Sequence, residues 1–230
     1  MIGIVTGLIA EARCWARKPL AGLIACAVGH GPTQAAQAAE TLLQQGITGL
    51  VSFGLAGGLT PALRPGTVVL ANTVVVPIAA DRGHQLFVPH IPWRESLHTR
   101  LRTLMPLVEP IAASDHVIAT VAARTRLAAD TGARAVDMES GAVALCARIA
   151  GVPFIVVRVT ADPAERTLPP AVFSSVDRNG HICPFQVLRA LAGKPSQLPD
   201  LLRLLLDSRL ALTTLCRVAD RAGADCAFLP

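Results

Sequence analysis

Tyrosine is absent from this 230-residue chain, aromatic residues make up 3% of it and charged residues 16%. A surface that reads nucleic-acid bases needs aromatic planes interleaved with clustered cations, and here the 21 Lys and Arg residues are dispersed. These lacks argue against nucleic acid as a partner. No apolar run approaches the ~20 residues that a membrane-spanning helix requires. The longest stretches, such as Thr67 to Ala80, are broken by Asn72, Thr73 and Pro77. The opening MIGIVTGLIAEA has neither a basic start nor a small-residue cleavage site, so no signal peptide is expected and the cytoplasm is the expected compartment. Cys14, Cys26, Cys146, Cys183, Cys216 and Cys226 form no CxxC pair and are read as buried reduced thiols. His84, His90, His98 and His181 share no ligand spacing with cysteines or carboxylates, so no metal is expected. P-loop and dinucleotide fingerprints are missing as well, as are internal repeats.

What the chain does have is apolar material, 52% of its residues, enough for one globular domain over residues 1–230 with a large core. The formal charge of +5 fits an anionic small ligand or an acidic membrane surface. Ile2 to Thr6 and Leu23 to Val28 read as buried strands, and Thr33 to Gln45 as an Ala-rich helix capped by Thr33 and stopped at Gly46. Strands are expected at Leu50 to Phe53, Thr67 to Val76, Val117 to Ala119, Ala135 to Met138 and Pro153 to Val159. Glu139 to Ala150 reads as a helix closed by Gly151, and the Leu-rich stretch Pro199 to Ala222 as one long helix or two packed ones. Pro169-Pro170 and Asp177 to Pro184 form a loop region ahead of it, placed to overlie an active site. The alternation predicts a three-layer αβα sandwich around a mixed central sheet.

Chemistry is expected where strands end, because open α/β sheets gather free backbone N–H groups and converging loops there. Gly29-His30-Gly31-Pro32-Thr33 and Gly54-Leu55-Ala56-Gly57-Gly58 follow strand candidates and offer backbone donors for an anion; each also reads as an ordinary tight turn. Glu11, Asp137, Glu139 and Asp162 are few, acidic and close to strand ends. Singly, Glu139 reads as a first-turn charge and Asp162 as a cap. Gathered in one cleft, such carboxylates accept hydroxyls, activate a nucleophile and protonate a leaving group.

Four segments resemble the nucleoside phosphorylase and nucleosidase superfamily that includes methylthioadenosine/S-adenosylhomocysteine nucleosidase. IGIVTGLIAE at Ile2 to Glu11 is similar to its opening strand and acidic turn, and SFGLAGGL at Ser52 to Leu59 to its glycine-rich loop. VDMESGAVA at Val136 to Ala144 resembles its ribose-binding motif, and VPFIVVRVTAD at Val152 to Asp162 its last core strand. The resemblance implies that Glu139 accepts the ribose hydroxyls while Met138 packs on the sugar, and that Asp162 protonates N7 of the purine. Asp115-His116-Val117-Ile118 looks like the base-contacting loop, with Val117 where an aromatic commonly stacks, and Leu55 stands where nucleosidases carry a hydroxyl. Glu11 aligns within one residue with the carboxylate that activates water, which favours hydrolysis. Arg13 and the segments Gly29, His30, Gly31 and Gly54, Leu55, Ala56, Gly57 instead offer a phosphate site.

GLIAEAR at Gly7 to Arg13, GHGPTQAA at Gly29 to Ala36 and the Leu-rich tail are more closely similar to hopanoid-associated phosphorylases. That resemblance implies release of adenine from adenosylhopane, with inorganic phosphate as the favoured co-substrate and no other cofactor. The superfamily resemblance implies a homodimer or larger assembly; whether the C-terminal helices contact the inner membrane surface or only pack is left open by the sequence. Leu55, Val117 and the helices from Leu201 to Leu215 are the expected lining of a slot for the hydrocarbon. The alternatives are hydrolysis of methylthioadenosine or S-adenosylhomocysteine, and a nucleoside-binding protein without catalysis.

Overall fold

The computed structural model describes residues 1–15, 24–78, 83–169 and 198–228. The loop expected around Asp177 to Pro184, with Pro170 and Cys183, lies outside them. Eight strands form one mixed sheet: β1 (Ile2–Thr6), β2 (Ile24–Val28), β3 (Gly49–Gly58), β4 (Val68–Pro77), β5 (His84–Phe87), β6 (Leu107–Ala113), β7 (Ala135–Asp137) and β8 (Phe154–Asp162). β1 pairs in parallel with both β2 and β3. β3 then meets β7 antiparallel, β7 meets β6 parallel, and β6 meets β4 parallel. β8 lies parallel to β3 on one side and antiparallel to β4 on the other, so β3, β7, β6, β4 and β8 close into a ring.

Helices cover both faces. α1 (Ile9–Ala12), α2 (Gly31–Gln44), α3 (Ile91–Arg100), α4 (Val121–Thr131), α5 (Ser140–Ala150) and α6 (Leu198–Ala222) follow in chain order. Alternation along the strands divides the core. Val51 and Phe53 of β3 join Ile155, Val157 and Val159 of β8 against Trp93 and Leu97 of α3 and Leu215 and Val218 of α6. Leu50 and Val156 point the other way, onto Ala35 and Leu42 of α2 and Val143, Ala144 and Ala147 of α5. Every residue of β8 is buried, as a strand covered on both faces must be. Gly141 lets α5 approach so closely: a Cβ there would stand 2.8 Å from Ala113 Cβ and 2.9 Å from Val76 Cγ2.

The mixed-sheet αβα expectation is borne out, with local corrections. α2 begins at Gly31 rather than Thr33, with His30 as its N-cap and Pro32 in its first turn. The Gly54 to Gly58 segment is not a turn but the second half of β3, held extended by its pairing with β8. Val117 to Ala119 is loop rather than strand. The Leu-rich stretch is a single helix of 25 residues. Cys14 and Cys216 are joined in a disulfide across 202 positions and Cys26 is exposed, so among the described residues buried reduced thiols describe only Cys146 and Cys226. Long-range pairing of this kind leaves no local sequence pattern.

Candidate active site

At the carboxyl ends of β1, β3, β7 and β8 lies a cavity of about 210 Å3. Glu11, Glu139 and Asp162 reach it from three separate segments, together with Met138, His30, Leu55, Ala56, Gly57, His116, Val117 and Ile118. Glu11 sits in the one-turn helix α1 because its own carboxylate closes the turn. Oε2 accepts the N–H groups of Gly7 and Leu8, each at 2.9 Å, and Oε1 accepts Leu55 N–H at 2.8 Å. Glu139, at the start of α5, accepts Gly31 N–H at 3.0 Å on Oε1, with His30 Nδ1 3.8 Å from the same oxygen. Two glycines make room for these carboxylates. A Cβ at Gly7 would lie 2.8 Å from Glu139 Oε1, and one at Gly54 would lie 2.7 Å from Glu11 Oε2 and 2.7 Å from Arg158 Nη1.

Beneath the cavity Arg158 of β8, with no exposure, neutralises part of this charge. Its Nε pairs with Asp137, its Nη2 donates to Ser52 Oγ at 2.7 Å and stands 3.6 Å from Glu139 Oε2. Nη1 is buried without a hydrogen-bond partner. Asp137 is fixed in turn by Ser140, whose N–H and hydroxyl donate to Oδ1 at 3.1 and 2.6 Å. One guanidinium therefore faces three carboxylates, Asp137 and Glu139 at close range and Glu11 through its field. Burial, reinforced by the neighbouring Glu139, pushes the Glu11 carboxyl up to about 7 against the opposing pull of Arg158 and the Leu55 and Leu8 N–H groups. Burial raises Glu139 as well, opposed by Arg158.

Asp162 ends β8 and pairs with Nη2 of Arg124, a buried residue of α4. Arg124 is held from three further sides: its Nε donates to Ile118 O at 3.0 Å and its Nη1 to Pro163 O at 2.8 Å and Gly58 O at 3.4 Å. It thus ties the base-loop candidate, the end of β3 and the end of β8 to one point. Burial raises the Asp162 carboxyl above the ordinary range while Arg124 draws it down.

The expected phosphate donors are arranged differently. Gly29 N–H donates to Thr6 O at 2.8 Å, Gly31 N–H serves Glu139 and Leu55 N–H serves Glu11, so these donors are already engaged. Gly54 is filled against Glu11 and Arg158. Arg13 lines a separate cavity with Arg209 and Arg217, because two residues along α1 from Glu11 the helix faces away from the reaction cavity. The leucines of α6 line neither the reaction cavity nor the groove beside it; Leu201, Leu204 and Leu215 are core. That groove, about 750 Å3, shares His116, Ile118 and Met138 with the cavity and is walled by Val76, Phe87, Leu145 and Ile149. Arg124 and Arg158 escaped the sequence reading. Arg158 left a trace there, as a lone cation inside the apolar run FIVVRV, whereas Arg124 is one of two arginines on a polar helix.

The phosphorylase superfamily model matches residues 19–191 of the chain. The chain belongs to the phosphorylase superfamily. Its expected class, a nucleoside phosphorylase or nucleosidase, accords with that membership. No curated protein matches the sequence. Among solved structures, the fold is similar to 5'-methylthioadenosine/S-adenosylhomocysteine nucleosidase from Helicobacter pylori, with TM-score 0.68 at 15% identity over 95% of this chain and 97% of that one. It is similar to futalosine hydrolase of the same organism, with TM-score 0.67 at 16% identity over 95% and 97%. S-adenosylhomocysteine nucleosidase from Streptococcus pyogenes superimposes with TM-score 0.64 at 19% identity over 90% and 95%.

Proposed function

We propose that this enzyme cleaves the N-glycosidic bond of an adenine nucleoside, releasing adenine from adenosylhopane. The observation that carries the reading is the convergence of Glu11, Glu139 and Asp162, with Met138, on one cavity from three separate segments. Glu139 accepts the ribose hydroxyls and Met138 packs on the sugar. Asp162, in its neutral form, gives its proton to N7 as the glycosidic electron pair moves onto the purine. The base then leaves neutral while the ribosyl carbon gains oxocarbenium character. Burial favours that neutral form.

Water is the acceptor this arrangement favours. A water in the cavity beside Glu11 would lose its proton to that carboxyl, which, at about 7, matches the pH at which a general base works best. A phosphate dianion would face Glu11, Asp137 and Glu139 against Arg158, which opposes its entry among the described residues. The apolar groove beyond Met138 suits a hydrocarbon on the 5′ carbon. Leu55 and Val117 line the cavity that holds the carboxylates and not this groove.

The competing substrate is methylthioadenosine or S-adenosylhomocysteine, favoured by the likeness of fold to nucleosidases. Adenine release is measured from adenosylhopane and from methylthioadenosine, each with and without inorganic phosphate. Phosphate-independent release from the hopanoid is expected. Preference for methylthioadenosine would favour the alternative, phosphate dependence would reassign the acceptor, and binding without release would make the chain a nucleoside-binding protein. A homo-oligomer is part of the proposal, checked by sedimentation.

A further inference from the structure

α6 carries two contrasting faces. Leu201 and Leu204 are buried, and Ala211, Leu215, Val218 and Ala222 belong to the core cluster on the sheet. On the opposite side Leu198, Leu202, Leu205 and Leu206 are 46, 51, 49 and 65% exposed. Four-residue steps put Leu198, Leu202 and Leu206 on one line, and Leu205, Arg209, Thr213 and Arg217 on the next. The leucine stripe therefore runs straight into a cationic half of the same face. There Arg209 and Arg217 meet Arg13, from the end of α1, around a cavity of about 430 Å3 that Thr213 and Asp220 also line. Among the described residues, Arg13, Arg209 and Arg217 form no salt bridge. Two acids on the helix are engaged elsewhere, Asp207 by Arg166 and Asp200 by Arg203.

Exposed leucines in this number are costly in water unless something covers them. Leucines and arginines placed end to end on one helix face match the boundary of an acidic bilayer, where acyl chains take the first and phosphates the second. We propose that the outward face of α6 docks on an anionic lipid surface. Leu198, Leu202, Leu205 and Leu206 enter the headgroup–acyl boundary, and a lipid phosphate sits in the cavity of Arg13, Arg209 and Arg217. The docking stands on the helix alone and does not depend on the proposed chemistry. Arg166, four residues beyond Asp162, joins this helix at Asp207, so docking holds the end of β8 near the lipid.

The test is sedimentation of the full chain with vesicles of phosphatidylglycerol and phosphatidylcholine in equal parts, against phosphatidylcholine alone. Binding to the acidic vesicles only is expected, weakening with salt. Arg209→Gln/Arg217→Gln should lower partitioning roughly twenty-fivefold, about fivefold for each arginine. Leu202→Ser/Leu206→Ser should lower it further, with thermal midpoints and adenine release in free solution unchanged in both. Absence of binding, or equal binding to neutral vesicles, overturns the proposal. Calorimetric binding of inorganic phosphate without vesicle binding would mark the cavity as a soluble-anion site and overturn the lipid assignment. Conversion of a dimer to a monomer by Leu202→Ser/Leu206→Ser, with no vesicle binding in the parent chain, would give the stripe to a second copy.

Discussion

Arg124 holds the carboxylate of Asp162 from a guanidinium that three backbone carbonyls prevent from following it. On the proposed reading Asp162 exchanges that ion pair for a proton as it turns to the purine. Arg124 therefore opposes the acid form that burial favours. In Arg124→Lys, which keeps the charge but loses the fork, the alkaline limb of kcat/KM is expected to move to higher pH, and in Arg124→Gln further still. Asp162→Asn is expected to lose about 10²–10⁴-fold in kcat, the usual worth of a general acid. A limb unmoved by Arg124→Lys, or near-normal turnover by Asp162→Asn, would remove Asp162 from the proton transfer.

Glu11 couples the site to stability. Its carboxyl rises from 4.5 to about 7 on folding, so between those values the native state holds the proton more tightly than the unfolded chain. The resulting stabilisation is complete below 4.5 and is lost as the pH rises through about 7, a loss on the order of 3 kcal/mol. Thermal midpoints should fall between pH 5 and pH 9, and Glu11→Gln should flatten the fall. The proposed hydrolysis is expected to take the opposite sign, rising with pH as Glu11 ionises, and Glu11→Gln should abolish that rise.

The disulfide between Cys14 and Cys216 anchors the turn after α1 to α6. Because it closes a long loop, its removal by reduction or by Cys14→Ser is expected to cost about 2–4 kcal/mol, read from denaturant midpoints. Thiol titration of the unreduced, unfolded chain should find Cys14 and Cys216 unreactive.

Leu145, on the groove wall and 38% exposed, tests the hydrocarbon slot without disturbing the core. Leu145→Asp is expected to lower kcat/KM for adenosylhopane roughly tenfold or more, while methylthioadenosine turns over within about twofold of the parent. Equal losses on both substrates would separate the groove from substrate choice.

Much of this was legible in advance. β1 and the strands at Val68 and Phe154 announce themselves as short β-branched runs, and Gly46 and Gly151, both at positive φ, stop their helices as expected. The carboxylates sit in short, distinctive segments and converge as read. Less visible were β6 and α3, whose mixed composition carries neither period clearly, and the disulfide, which joins residues from opposite ends of the chain. Arg124 and the engaged N–H groups of Gly29, Gly31 and Leu55 depend on which atoms meet across the fold. A glycine-rich segment advertises donors but not what has already taken them.

The closed ring of β3, β7, β6, β4 and β8 sets how the site tolerates change. Asp137, Arg158 and Asp162 sit on strands that share neighbours in both directions, so none has a free edge from which to fray. Amide exchange at these strands should report opening of the whole molecule, while the 114–120 loop exchanges by local motion. On the proposed reading, reshaping that loop, or the groove beside it, would then redirect substrate choice while the carboxylates stay in register.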